Sequence, residues 1–250
     1  MRNLKRALSL ALAAVMLIGM MVVGASAVSY NDFTDRDEIV NKDAVSMLTT
    51  LGVIDGKTDG SFEPDGSYAP TEGVDRAQMA KMISVIMNQG VDNNDLFSGV
   101  NSKLTDIGDN WAKGHINYCF TLGIIAGRGN GKFDPSATVT ALEAAKMLLV
   151  ALGYDPKIEK LVGNEWAIKT AKLALSDDVD LDNGMEKLSL SDNLTREQAA
   201  QMAFNAMKAT LVEYEDKGGD IIIGDITINN GATKATPVTS KVKADATSIS

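Results

Sequence analysis

Cysteine, histidine, proline and aromatic side chains are all scarce in this chain. Its 250 residues include one Cys, one His, 5 Pro and 5% aromatics. A single thiol, Cys119, excludes an intrachain disulfide framework. Its place on an apolar helix face marks it as a packed thiol. One His and one Cys do not make a zinc site. No Ser–His–Asp or Cys–His order is readable, and His115, flanked by Lys113 and Asn117, reads as an exposed structural position. Carboxylate pairs are too common in an acidic chain to signal glycosidase chemistry. The segment Asp55-Gly56-Lys57-Thr58-Asp59-Gly60 has part of an EF-hand rhythm. It fails as a calcium loop because Lys57 takes the third ligand position and Gly66 the twelfth. These shortages argue against an enzyme and call for no cofactor or metal.

Positive charge is also in the minority. Lys and Arg number 24 against 33 acidic residues, for a net charge of −9. Nucleic-acid binding needs clustered Lys and Arg, so it is disfavoured. Long apolar runs are absent after the first, Ala7 to Val23. That run follows Arg2, Lys5 and Arg6 and precedes Ala25-Ser26-Ala27, the pattern of a cleaved export signal. Residues 1–27 are therefore expected to be removed, leaving Val28 first and contact with a membrane only transient. Without those three cations the charge becomes −12, from 21 basic and 33 acidic residues.

What the chain does have is a repeat. Asp75-Arg76-Ala77-Gln78, Thr140-Ala141-Leu142-Glu143 and Thr195-Arg196-Glu197-Gln198 are three capping boxes, offset by 65 and 55 residues. Each is followed by an apolar stripe at i, i+3, i+4, i+7: Met79, Met82, Ile83, Ile86; Ala144, Met147, Leu148, Ala151; Ala199, Met202, Ala203, Ala206. An earlier helix is expected in each unit. Its stripe is Val40, Ala44, Met47, Leu48, Leu51 in the first, Ala112, Ile116, Cys119, Phe120 in the second and Ala167, Ala171, Ala174, Leu175 in the third. Trp111 and Trp166 both stand 29 residues before a cap.

Two loops share a second signature. Leu51-Gly52-Val53-Ile54-Asp55-Gly56 matches Leu122-Gly123-Ile124-Ile125-Ala126-Gly127, and Gly60-Ser61-Phe62-Glu63-Pro64 matches Gly131-Lys132-Phe133-Asp134-Pro135. Gly52 and Gly123 suit the left-handed residue that ends a helix. The Phe is expected to plug the loop into the core, and Pro to block helix before the next cap. The third unit lacks the Gly-x-Phe-x-Pro element and has Leu161 where the second has Asp106. The organisation is thus a signal at 1–27, units at 28–90, 98–154 and a degenerate 160–212, and a tail at 213–250. The tail carries a strand near Asp220–Asn229 and then a Thr-, Ser- and Ala-rich linker or the start of a β domain.

The ordered set of Asp-led start (Phe33-Thr34-Asp35, Leu104-Thr105-Asp106), Leu-Gly-x-Ile-x-Gly turn, Phe loop and capped helix resembles the S-layer homology domain family over Tyr30 to Leu211. The resemblance implies a mainly α fold, three helix–loop–helix repeats in a pseudo-threefold bundle. It further implies non-covalent binding of secondary cell-wall polysaccharide, often pyruvylated, or of peptidoglycan, in grooves between repeats. Such a module holds an exported protein on the bacterial wall. Two other roles stay open: the anchor of an envelope enzyme encoded beyond residue 250, or a surface-layer lattice and protein-interaction module that self-associates.

Six residues are candidates for ligand contact. Arg76 and Arg196 sit at first helical positions, where the dipole favours anions, so an anionic partner would explain a cation there. The family's matching arginine is implied to touch glycan; the second unit departs from this with Ala141. Arg128, in the Gly-rich loop Gly127–Lys132, could supply charge instead. Asp35 and Asp106 match the family's leading acid, which binds sugar hydroxyls or caps a helix. Trp111, ahead of Trp166, could stack on a sugar ring or pack against the next unit.

Overall fold

The computed structural model describes residues 28–57, 61–62, 73–185, 188–215, 217–223 and 226–238. The signal expected at 1–27, most of the calcium-like loop, residues 63–72 and the end of the tail lie outside these residues. Seven α-helices are described: α1 Lys42–Thr50, α2 Arg76–Met87, α3 Asn94–Ser98, α4 Lys113–Thr121, α5 Ala141–Ala151, α6 Trp166–Ala174 and α7 Arg196–Lys208. The fold is mainly α.

The three capping boxes form in full. Asp75, Thr140 and Thr195 each accept from the backbone N–H three residues on, and Gln78, Glu143 and Gln198 reach back. Just before each cap lies a buried aliphatic residue: Val74, Val139 or Leu194. Their backbones close a triangle. Val139 N donates to Val74 O (2.9 Å), Leu194 N to Val139 O (2.9 Å) and Val74 N to Leu194 O (3.0 Å). From this triangle α2, α5 and α7 run together, each in contact with the other two. The stripes drawn from the sequence meet here, with Met79, Ile83, Leu148, Met202 and Ala203 all buried.

The helix–loop–helix units do not fold back as hairpins. The outer helix α4 of the second unit packs on α2 of the first, and α6 of the third on α5 of the second. Helix α1 of the first unit closes the circle on α7 of the third. Sequence unit and packing unit are therefore out of step by one helix. This changes the outer stripes. On α1 the buried residues are Ala44, Val45, Leu48 and Thr49, whereas Val40 is 81% and Met47 46% exposed. On α6 Ala174 is buried but Leu175 is exposed.

The loops behave as their signatures require. Gly52 and Gly123 adopt φ of +68° and +74°, conformations that cost other residues energy. Phe62 and Phe133 are buried, and Phe62 lies 5.3 Å from Phe33 between ring centroids. Leu161, in the third unit, is wholly buried. Beyond α7 the chain returns to the bundle: Val212 N donates to Leu152 O (2.9 Å). Strand β1 (Val212–Glu213) pairs antiparallel with β4 (Thr236–Pro237); β2 (Gly219–Ile223) and β3 (Ile226–Asn230) form a hairpin in the register Gly219↔Asn230 to Ile223↔Ile226. Among the described residues no helix is long and apolar enough to cross a membrane.

Candidate functional site

The circular packing creates three seams, and they are not alike. The first, between α2 and the start of α4, holds a groove of about 210 Å³. Its walls are Asp55 and Phe62 of the first loop, Gln78 and Lys81 of α2, Trp111 from the second unit and Arg196 from the third. Trp111 is 53% exposed. Asn94 Nδ2 donates to its carbonyl (2.9 Å) while Asn94 Oδ1 accepts from Gly114 N (2.8 Å), which fixes the approach to α4. Lys81 pairs with Asp55 (2.5 Å). Arg196 donates through Nε to Phe62 O (3.0 Å) and through Nη2 to Asp55 O (2.7 Å), and its guanidinium lies 5.0 Å from the Phe62 ring centroid.

The second seam, between α5 and α6, repeats this arrangement one unit on. Arg76 donates to Phe133 O and Ala126 O (both 2.8 Å) and lies over the Phe133 ring at 4.4 Å. Lys146 Nζ stands 5.4 Å from the Trp166 ring centroid. Ala126 occupies the position of Asp55, so Lys146 has no acid partner of that kind. Burial pulls the Lys146 pKa below its ordinary value, with Glu143 opposing. Arg128 pairs with Glu143 (3.0 Å). Arg128 and Asp106 also line an adjoining open depression of about 700 Å³.

The third seam, between α7 and α1, lacks these groups at the matching positions. Val40 stands at the Trp position, Gln201 at the Lys position and Ala141 at the Arg position. Gln201 Nε2 is spent on Asn183 O (3.2 Å) and Asn205 Oδ1 (2.9 Å), and Glu197 Oε1 accepts from Asn41 N.

The sequence candidates therefore separate. Trp111 and Arg196 share one groove, and Asp106 and Arg128 share one depression. Arg76 is only 4% exposed. The free N–H groups expected beside it are already satisfied, because Arg76 N donates to Ala137 O and Ala77 N to Pro135 O (both 3.0 Å). The first turn of α2 thus presents no open anion site; the neighbouring loop fills it. Asp35 and Asp106 clasp their own loops. Asp35 accepts from Phe62 N (2.8 and 3.0 Å), and Asp106 from Phe133 N and Asp134 N (both 2.8 Å). Burial pushes the Asp106 pKa up, but those N–H donors and Lys132 outweigh it and hold it below the ordinary value. Lys81 and Lys146 were missed in the sequence. Their signal is a cation six residues past the cap in two units, with Gln201 in the third.

His115 is not exposed: it is 1% accessible at the contact of α2 with α4. Its Nδ1 lies 2.8 Å from Ser84 Oγ, and its Nε2 is 3.4 Å from Asp92 Oδ1. Ser84 is wholly buried, so this Ser–His–Asp series offers no nucleophile to a substrate. Burial, with help from Lys81, pushes the His115 pKa down against the pull of Asp92. Cys119 is buried, with Sγ 3.5 Å from Ala80 O, and burial pushes its thiol pKa up.

The S-layer homology domain family matches residues 32–80 and 103–145. These segments carry the clasping Asp, the Phe loop and the capped helix start of the first two units. Two segments of the chain thus match the S-layer homology domain. It is 29% identical to a cell surface protein of Thermoanaerobacter kivui over 237 residues, 94% of this chain and 28% of that protein. An S-layer protein of Bacillus licheniformis is 30% identical over 118 residues, 47% of this chain and 12% of the relative. An uncharacterised cell wall amidase of Bacillus anthracis is 28% identical over 105 residues, 42% of this chain and 18% of the relative. The chain thus spans less than a third of the length of each. S-layer homology domains place it at the cell surface, where they anchor surface proteins to the wall.

Proposed function

We propose that this segment anchors an exported protein by holding secondary cell-wall polysaccharide, with acidic sugar substituents such as pyruvyl groups, in the first two seams. The observation that carries the reading is the repeated pairing of an indole with a lysine ammonium. Trp111 and Lys81 line the first groove, and Lys146 lies over Trp166 in the second seam. An indole face offers apolar surface to a sugar ring; an ammonium offers charge to a carboxylate. Ligand sites favour concave junctions between packed elements. The segment itself is read as non-catalytic, and the cargo lies elsewhere in the protein.

An anionic polymer would be repelled by a chain at −12, but salt screens that field beyond about 8 Å. Local cations then decide the outcome. Lys146, without an acid in the place of Asp55, is the stronger of the two.

The test is sedimentation with purified sacculi. The fragment from Val28 should pellet with intact sacculi and stay in solution once the secondary polymer has been stripped. Equal pelleting with stripped sacculi would replace the reading with peptidoglycan or protein binding. The amidase relative favours one further reading of the whole protein, as an envelope enzyme carried by this anchor. The gene beyond residue 250 decides it.

A further inference from the structure

The third seam has lost three features together, and they come from three different units. Ala141 belongs to the second unit, Val40 to the first and Gln201 to the third. In the other two seams the matching Arg, Trp and Lys are all present. Drift of one degenerate repeat would not remove one residue from each unit; loss of one shared site would. The Arg therefore belongs with the Trp and Lys of the seam it reaches, not with the unit that encodes it.

Its geometry says how. Arg196 does not need to touch a ligand to matter in the first groove. Its two N–H bonds fix the carbonyls of Asp55 and Phe62, and its guanidinium covers the Phe62 ring. The Asp55 carboxylate in turn holds Lys81. Arg196 thus sets the wall that sets the ammonium. The third unit also ties the first through Val74 N to Leu194 O (3.0 Å) and through α1 on α7.

We infer that Arg196 is a positioning residue for the first groove, and that the degenerate third unit serves as the clamp of that groove. This rests on the saccharide reading of the seams. A planar guanidinium meets two carbonyls and stacks on a ring at once, which an ammonium cannot do.

The experiment uses two single-tryptophan forms of the fragment from Val28. Trp166→Phe leaves Trp111 to report on the first groove, and Trp111→Phe leaves Trp166 to report on the second seam. Each is titrated with wall polysaccharide released from sacculi, with and without Arg196→Ala. The substitution should weaken the Trp111-reported affinity about 10-fold or more, as loss of an anchored contact does. It should move the Trp166-reported affinity less than about twofold, since independent sites are nearly additive. Arg196→Lys should restore the first only in part, and amide exchange at Asp55 and Phe62 should rise in step. Equal losses at both reporters would mean a general structural role and overturn the clamp, as would an unchanged Trp111 titration. If neither parent form responds to the polymer, the saccharide reading itself falls, and the clamp with it.

Discussion

The first two seams and the third are made from the same kind of helix pair, yet at the matching positions only the first two carry an indole, an ammonium and a guanidinium. The third closes on Gln201, Asn205 and Glu197, which satisfy one another and the neighbouring backbone. It is built to hold the ring shut. The comparison separates two demands that a repeat protein usually mixes. Closure needs all three seams to bury apolar surface; recognition needs only those seams that keep polar groups facing outward.

Substitutions that break this contrast fall in a clear order. Phe133→Ala should cost the most, about 3–5 kcal/mol, because the ring is wholly buried and lies under Arg76. Urea unfolding checks it; a cost under 1 kcal/mol would mean the loop is not wedged into the core. Arg76→Ala should follow, at about 1–3 kcal/mol, by leaving the buried Phe133 carbonyl without its donor and the Ala126 carbonyl without its protein partner. Trp111→Ala should leave stability near the parent and weaken sacculus binding about 10-fold. Retained binding would remove the indole from the site.

A pH scan sharpens the comparison further, because only the α2–α4 contact has a buried histidine. Its counterparts are Thr170 on α6 and Ala44 on α1. The folded pKa of His115 lies below its ordinary 6.5. The unfolded chain then binds more protons than the folded one as pH falls below about 6.5, so stability drops there and is full above it. Amide exchange in α4 should quicken on mild acidification while α6 is unaffected, and His115→Gln should flatten the response. Equal quickening in both helices would point to another group. The smallest effect is expected at Val40→Ala, within about 0.5 kcal/mol and without change in binding, since Val40 is 81% exposed at the third seam.

Much of the frame was legible in the residues. The three capping boxes, the stripes on α2, α5 and α7, the left-handed Gly52 and Gly123 and the buried Phe62 and Phe133 are local patterns, each set by hydrogen bonds or periodicity within a few residues. The outer helices were harder. Their stripes admit more than one register, and α1 buries Val45 in place of Met47 because its partner is α7, more than 140 residues away. His115 misled for a similar reason: its polar neighbours suggested solvent, but α2 lies on it.

The amino-acid sequence alone determined that three capped amphipathic helices would form, that two loops would be plugged by Phe and, with a single Cys, that no intrachain disulfide would staple them. Only the tertiary structure decided which helix meets which, and hence that an arginine encoded in one unit does its work in the loop of another. Capping and periodicity are written over spans of a few residues; the closure of a ring depends on surfaces that are far apart along the chain and become neighbours only when all of them are buried together.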